Sequence, residues 1–134
     1  MHKLYSRAAS LTHDVIAAAI EVHRVLGPGL LEWIHEWALR IELESRGDKV
    51  ATQQTVEVHF KQHMRTELLR FVSLVEGCLL VETKAVETVH PIHKAQLQTY
   101  TKLLDVPLGL IINFNELNIV DGLSRPMLPG ADRA

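Results

Sequence analysis

Apolar residues recur every three or four positions over two stretches in the first third of the chain, which predicts two amphipathic helices. The stretches cover residues 11–26 and 30–46, and Ser10 or Thr12 can cap the first helix. Gly27-Pro28-Gly29 separates them, because proline cannot continue a helix and glycine tolerates the turn. The predicted core faces are Val15, Ala19, Val22 and Leu26 in the first helix, and Leu31, Ile34, Ala38 and Ile41 in the second.

The middle of the chain changes to patterns that are typical of strands. Residues 55–60 alternate between apolar and polar side chains, which predicts a half-buried strand. Residues 68–75 and 79–84 are mostly apolar, and Glu76-Gly77-Cys78 lies between them. A short glycine-containing segment between two strands predicts a β-hairpin.

Helical spacing returns over residues 91–104, and a continuous apolar run follows over residues 106–114. Such a run is typical of a strand that is buried on both faces. Strand, helix and strand in this order predict a parallel βαβ crossover. We therefore expect one α/β domain over residues 1–134, with the element order α-α-β-β-β-α-β, a mixed sheet, a core over about residues 10–125 and flexible ends.

Charge and cysteine content narrow the function classes. The net charge is −2, with 14 basic and 16 acidic residues spread evenly along the chain, so the strong basic excess of a typical nucleic-acid binder is missing. Cys78 is the only cysteine, which excludes an internal disulfide and cysteine-rich zinc sites and predicts a cytoplasmic location. No apolar run approaches the roughly 18 residues that a membrane span needs.

Glu82 and Lys84 are the sharpest local feature of the chain. Residues two apart on a strand share one face, so both charges point the same way from an apolar strand. A carboxylate can hold a divalent cation while a nearby ammonium orients a water molecule. The alternative is an ion pair at a solvated strand end. Gln96 and Tyr100 share a face of the following helix by their spacing of four.

Four segments resemble the bacterial GxxExxY protein family, which is assigned to the PD-(D/E)XK nuclease-like superfamily. They are AAAIEVHRVLGPGLLEWIHEWAL, LLRFVSLVEGCLLVETKAVE, PIHKAQLQTYTKLL and LGLIINFN. The resemblance covers roughly residues 10–125, and the QxxxY pattern is also similar to a motif of RecB-type nucleases. It implies a PD-(D/E)XK restriction-endonuclease-like core, in agreement with the predicted element order.

The resemblance also implies roles for individual residues. Gly29, Glu32 and His35 match the GxxExxY motif, with histidine at the tyrosine position, while Glu82 with Lys84 and Gln96 with Tyr100 match two further motifs. It implies that Glu32 and Glu82 bind Mg²⁺, that Lys84 positions the attacking water, and that Gln96 and Tyr100 orient the substrate or the site. We expect Glu32, Glu82, Lys84 and Gln96 to converge in one pocket.

Val72 departs from the family pattern, which has a metal-binding aspartate at this position. A hairpin loop of three residues, Glu76-Gly77-Cys78, would place Val72 directly opposite Glu82, whereas a two-residue loop would not. Mg²⁺ prefers oxygen ligands in near-octahedral geometry, and valine supplies none. We therefore expect weak Mg²⁺ binding and weak or absent cleavage.

Trp33 and Trp37 lie one turn apart, away from the predicted core face of the second helix. Tryptophan favours interfaces, so these residues predict a symmetric homodimer; the alternative is that a loop or the C-terminal tail covers them.

Three functions remain open at the level of the sequence. The first is a nuclease-fold protein related to metal-dependent DNA phosphodiesterases, with a degenerate active site at Val72. The second is a non-catalytic module that binds nucleic acid or protein. The third is a structural oligomeric subunit.

Overall fold

The computed structural model describes residues 1–133, which form three α-helices and seven strands. The helices are α1 (Tyr5–Leu26), α2 (Glu32–Ser45) and α3 (Pro91–Leu104). The strands are β1 (Val50–Ala51), β2 (Thr55–Phe60), β3 (His63–Leu68), β4 (Val72–Val75), β5 (Leu79–Lys84), β6 (Leu108–Asn113) and β7 (Leu123–Ser124). A short 3₁₀ turn, Ile119–Gly122, precedes β7.

Five of the strands form one mixed sheet in the spatial order β1-β4-β5-β6-β7. β5 and β6 are parallel and α3 lies between them in the chain, while the other neighbours are antiparallel. The predicted mixed sheet and the predicted βαβ unit are therefore confirmed. β2 and β3 form a separate two-stranded antiparallel sheet, here called the ribbon.

The two faces of the five-stranded sheet bury different helices. One face packs against α1 and α2 through the side chains of Val75, Leu79, Val81, Leu108, Leu110 and Ile112. The other face packs against α3 through Val72, Leu80 and Ile111, which meet Leu97 of the helix. Successive side chains of a strand point to opposite faces, so each strand contributes to both cores.

Gly109 allows α3 to lie close to the second face. A Cβ atom at this position would lie 2.8 Å from Leu97 Cδ2 and 3.3 Å from the carbonyl oxygen of Pro126. The absence of a side chain therefore sets the distance between α3 and β6, and with it the position of the α3 residues over the sheet.

α1 begins earlier than predicted, at Tyr5 rather than residue 11. Ala8 and Leu11 are buried and extend the apolar stripe by a full turn. The predicted caps are wrong, because Ser10 and Thr12 lie inside the helix and the Thr12 hydroxyl donates to the Ala8 carbonyl at 3.0 Å.

α2 buries a different face from the predicted one. Its buried residues are His35, Leu39 and Leu43, whereas Leu31 and Ile41 of the predicted face are exposed. A histidine at the start of the buried stripe interrupts its apolar pattern, which is why the periodicity favours the wrong face.

Burial of His35 is possible because its ring is packed and bonded. The ring stacks on Phe114 at a centroid distance of 4.5 Å, and Nε2 lies 3.0 Å from the carbonyl oxygen of Gly27. An imidazole donor to a carbonyl requires the Nε2–H form, so the lone pair of Nδ1 is left without a hydrogen-bond partner among the described residues. His35 thereby fixes the loop between α1 and α2.

The ribbon and the turn that follows it differ from the sequence expectation in three respects. Residues 68–75 do not form one strand, because Leu69, Arg70 and Phe71 form a turn between β3 and β4 in which Phe71 has φ 62°. Only Val56 of β2 is buried, so β2 is not the half-buried strand that was predicted. β3 was not predicted at all, since its side chains are mostly polar and exposed.

The end of the chain packs against its beginning. Ala131 is buried, and its carbonyl oxygen accepts a hydrogen bond from the backbone N–H of His2 at 2.9 Å. Leu128 N–H donates to the carbonyl of Pro107 at 3.0 Å. Hydrogen bonds at Leu128 and Ala131 therefore connect this part of the chain to the residues just before β6 and α1.

The pKa of His35 leads to a prediction about stability and pH. Burial lowers this pKa from its ordinary value of 6.5, so the unfolded chain binds the proton more readily than the folded chain. The contribution of neutral His35 to the free energy of unfolding is complete above about pH 6.5 and decreases as the pH falls toward the lower folded value. Between about pH 7.5 and 5.5, we expect the free energy of unfolding of the wild type to fall by up to about 1 kcal/mol because of His35. The variant His35→Phe should not show this additional loss.

Urea unfolding at both pH values measures this difference. The phenylalanine keeps a ring that can stack on Phe114, and the titration of every other group is common to both proteins and cancels in the comparison. Equal pH dependence in the two proteins would contradict a depressed pKa at His35.

Candidate active site

The β4–β5 hairpin determines which side chains meet at the candidate site. Its loop is Glu76-Gly77-Cys78, and Glu76 and Gly77 have φ values of 51° and 67°. The resulting register pairs Val72 with Glu82 and Ser73 with Val81. The predicted three-residue loop and the predicted pairing of Val72 with Glu82 are both confirmed.

Glu82 and Lys84 form a buried ion pair on the α3 face of the sheet. Lys84 Nζ lies 2.7 Å from Glu82 Oε2, and the two side chains are only 21% and 6% exposed. The pair is therefore not the solvated strand end that was the alternative. A buried carboxylate is costly without a counter-charge, and Lys84 supplies that counter-charge to Glu82 among its apolar neighbours.

Val72 occupies the position across from Glu82 as part of the core. It is 2% exposed and belongs to an apolar cluster with Leu80, Leu97 and Ile111. No oxygen atom of this side chain is available to a cation. Position 72 is therefore occupied by an apolar side chain that packs in the core.

Asn113 is a polar residue of this face that sequence analysis missed. It lies opposite Lys84 in the parallel β5–β6 register and is fully buried. Its Nδ2 donates to the carbonyl of Val86 at 2.8 Å, and its Oδ1 accepts from the N–H groups of Val86 and Asn115 at 3.1 and 3.2 Å. Asn113 thus fixes the path of the chain as it leaves β5. The only signal in the sequence was an asparagine near the end of an otherwise apolar strand.

Two histidines lie beyond the end of β5, at the start of α3. His93 Nδ1 accepts from the backbone N–H of His90 at 3.1 Å, and the two rings are 5.7 Å apart. Burial lowers the pKa of His93, and the charges of Lys84 and His90 lower it further while Glu82 opposes them. His93 therefore lies within electrostatic reach of the Glu82–Lys84 pair.

An open groove of about 400 Å³ lies beside these histidines, and its walls are Val86, Glu87, Thr88, His90 and His93. The segment that Asn113 holds in place forms one of these walls, since Val86 makes both hydrogen bonds. The groove provides space for a ligand beside His93, which lies within electrostatic reach of the ion pair.

α3 carries Gln96 and Tyr100 toward the same side. Tyr100 is half-buried and packs against the apolar cluster that contains Val72, while Gln96 is exposed one turn before it. The interval from His93 to Gln96 to Tyr100 is three and then four residues, so the three side chains follow one stripe of the helix. Within residues 1–133, the side chains of Gln96 and Tyr100 make no hydrogen bond.

Glu32 is not brought to Glu82. It is the first residue of α2, and α2 packs on the opposite face of the sheet, where Glu36 and Leu39 lie against Val81 and Thr83. The motif position Gly29 lies in the loop before α2, with φ 93°, and His35 is buried behind Phe114. Within the described residues, the expected convergence of Glu32 with Glu82, Lys84 and Gln96 is thus not found.

The described part of the chain, residues 1–133, contains no group of three or more His, Cys, Asp or Glu side chains arranged to hold a metal ion. Glu82 is paired with Lys84, and Glu87 is the carboxylate among the walls of the groove. Among residues 1–133, no helix has the length and apolar character needed to cross a membrane.

Comparison with known proteins connects this geometry to a family. Searches of curated proteins and of solved structures return no match. The family model described as the PD-(D/E)XK nuclease superfamily matches residues 9–126, which include both strands of the hairpin, Glu82, Lys84 and all of α3. Because the match extends over most of the chain, this protein belongs to the PD-(D/E)XK nuclease superfamily.

Proposed function

We propose that this chain is a nuclease-fold protein of the GxxExxY type that binds DNA at the Glu82–Lys84 face and hydrolyses phosphodiesters weakly or not at all. The observation that carries the proposal is Val72, which is packed at the position across from Glu82. The superfamily match supports the nuclease-like fold, and the four segments quoted above support the subfamily.

Metal-dependent hydrolysis of a phosphodiester needs a cation that polarises the phosphate and lowers the pKa of the attacking water. Nucleases of this superfamily typically use Mg²⁺. Mg²⁺ is held by converging oxygen ligands in octahedral geometry, and residues 1–133 contain no group of three or more side chains arranged to supply them. The residues present therefore do not fit a strong Mg²⁺ site.

The groups that remain can still recognise a phosphate backbone. His93 lines the open groove within electrostatic reach of Lys84, and its imidazole gains positive charge as the pH falls. Gln96 is an exposed amide on the same stripe of α3, and Tyr100 supports that stripe against the core. In the proposed complex Lys84 faces a phosphate, while Gln96 and Tyr100 orient the strand.

The second candidate is a non-catalytic module that binds nucleic acid or protein. The packing of Val72 favours it, because an apolar side chain buried in this cluster supplies no ligand for a metal ion. The even charge of the chain favours a modest affinity for nucleic acid in either case.

Replacing Val72 with aspartate tests the role of the missing carboxylate. We expect Val72→Asp to destabilise the metal-free protein by about 2–4 kcal/mol, because it places a second charge beside Glu82 in an apolar cluster. Added Mg²⁺ or Mn²⁺ should restore part of this loss, since a ligand that binds only the folded state raises its stability. Thermal unfolding with and without metal, together with calorimetric titration, measures both effects.

The control for this substitution is Val72→Asn, which has a similar shape and no charge. It should lose stability without regaining it on addition of metal. A wild type that binds Mg²⁺ as tightly as Val72→Asp would contradict the assignment of Val72 as the degenerate position.

DNA cleavage is expected only in variants that bind the metal ion. In a plasmid-nicking assay with Mg²⁺ or Mn²⁺, the wild type should show little or no nicking, and any activity gained by Val72→Asp should disappear when Glu82→Ala is added. Robust nicking by the wild type that is lost in Glu82→Ala would contradict the proposal of a degenerate site.

DNA binding is testable separately from cleavage. Gln96→Glu places a negative charge on the proposed binding stripe, so its affinity for a labelled duplex in a chelating buffer should fall several-fold in fluorescence anisotropy. Thr99→Glu adds the same charge on another side of the same helix and should leave the affinity nearly unchanged. Absence of DNA binding by the wild type at low salt would favour the protein-interaction candidate.

A further inference from the structure

The outer surface of α2 carries a stripe of large apolar side chains that nothing in the described chain covers. Trp33, Trp37 and Ile41 follow one another at intervals of four residues, and they are 57%, 52% and 47% exposed. The alternative that a loop or the tail covers both tryptophans is therefore wrong for residues 1–133.

The stripe continues sideways into a groove between α1 and α2. The groove has a volume of about 230 Å³, and Val25, Leu26, Trp37, Ala38 and Ile41 form its apolar walls. Val25 is itself 64% exposed, so the apolar surface extends from α2 onto α1. We call this surface of Val25, Trp33, Trp37 and Ile41 the α2 face.

From the α2 face we propose that the chain forms a two-fold symmetric homodimer in which α2 packs antiparallel against α2 of a second copy. This inference does not depend on the proposed DNA binding. Area supports a second copy as the partner, because the exposed surface of the four side chains is on the order of 400 Å². A standard interface buries about 800 Å² per partner, of which somewhat more than half is apolar, so the α2 face matches the apolar part of such an interface.

The charges around the α2 face also fit a second copy of the same chain. Acidic and basic residues alternate along its edges, with ion pairs between Arg24 and Glu21 and between Arg46 and Glu42. A strongly basic or strongly acidic partner would find no opposite charge here. A surface with mixed signs can face itself without net repulsion.

The side chains on the flank of the stripe fit the antiparallel arrangement. Glu36 and Arg40 lie four residues apart on the flank of α2 nearer the sheet, where both line the small pocket against Val81 and Thr83 and remain partly exposed. In an antiparallel two-fold pair the same flanks meet, so Arg40 would lie near Glu36 of the second copy, and Glu36 near Arg40 of the second copy. A stripe with intervals of four favours helices that cross at about −50°, which confines the contact to the centre around Trp37.

The two tryptophans provide a direct measurement, because they are the only tryptophans of the chain and both lie on the α2 face. On dilution from about 100 µM to about 0.1 µM, we expect the emission maximum to shift to the red as the rings become exposed to water. Sedimentation over the same range should show a dimer that dissociates to a monomer. A wild type that sediments as a monomer at about 100 µM would overturn the proposal.

Substitutions locate the interface. Trp37→Glu, and the double variant Trp33→Ser, Trp37→Glu, should raise the dimer dissociation constant at least about tenfold while circular dichroism stays unchanged. The matched control is Phe60→Ser, which removes an aromatic ring that is 65% exposed on the ribbon. Equal weakening by Phe60→Ser, or no weakening by the tryptophan variants, would overturn the assignment to the α2 face.

A charge exchange tests the antiparallel arrangement. Arg40→Glu should weaken the dimer several-fold because it would face Glu36 of the second copy. The double variant Glu36→Lys, Arg40→Glu should restore the dimer, and it should not form mixed dimers with the wild type. Equal weakening in the single and the double variant would overturn the antiparallel packing.

Discussion

The short turn between β4 and β5 is the constraint on which the rest of the structure depends. Because side chains alternate along a strand, a slip of one residue in this hairpin would exchange the side chains of β4 between the two faces of the sheet. With the three-residue turn, Val75 enters the core beneath α1 and α2, and Val72 enters the core beneath α3. The same turn places Val72 opposite Glu82, so one local geometry determines both the packing of the helices and the composition of the site.

The candidate site places a charged pair on an otherwise apolar sheet. Glu82 lies on a strand whose neighbours are almost all buried and apolar, and it is tolerated there because Lys84 is 2.7 Å away. In a sheet with an aspartate in place of Val72, two carboxylates would need a cation between them. With valine at that position, Lys84 is the counter-charge that lies against Glu82.

Much of this arrangement could be predicted from the sequence, because it is encoded locally. The apolar run around Leu110, the glycine of the β4–β5 turn and the helical spacing of α3 each determine their own element. The face of α2 could not be predicted, since a buried histidine looks polar until Phe114 and the Gly27 carbonyl are known to lie beside it. Glu32 was misplaced for a related reason: the spacing of its motif defines a helix but not the side of the sheet on which that helix packs. β3 could not be predicted because its exposed, mostly polar side chains lack the alternation of apolar and polar residues that indicates a strand.

The thiol of Cys78 allows opening of the β4–β5 turn to be measured by chemical labelling. It is the third residue of the β4–β5 turn, fully buried, and its thiol is the only one in the chain. Burial raises the pKa of the thiol, so the native protein resists alkylation both by exclusion of the reagent and by scarcity of thiolate. Any labelling of the folded chain therefore requires the turn to open, and the rate of labelling measures how often the register of the sheet is released.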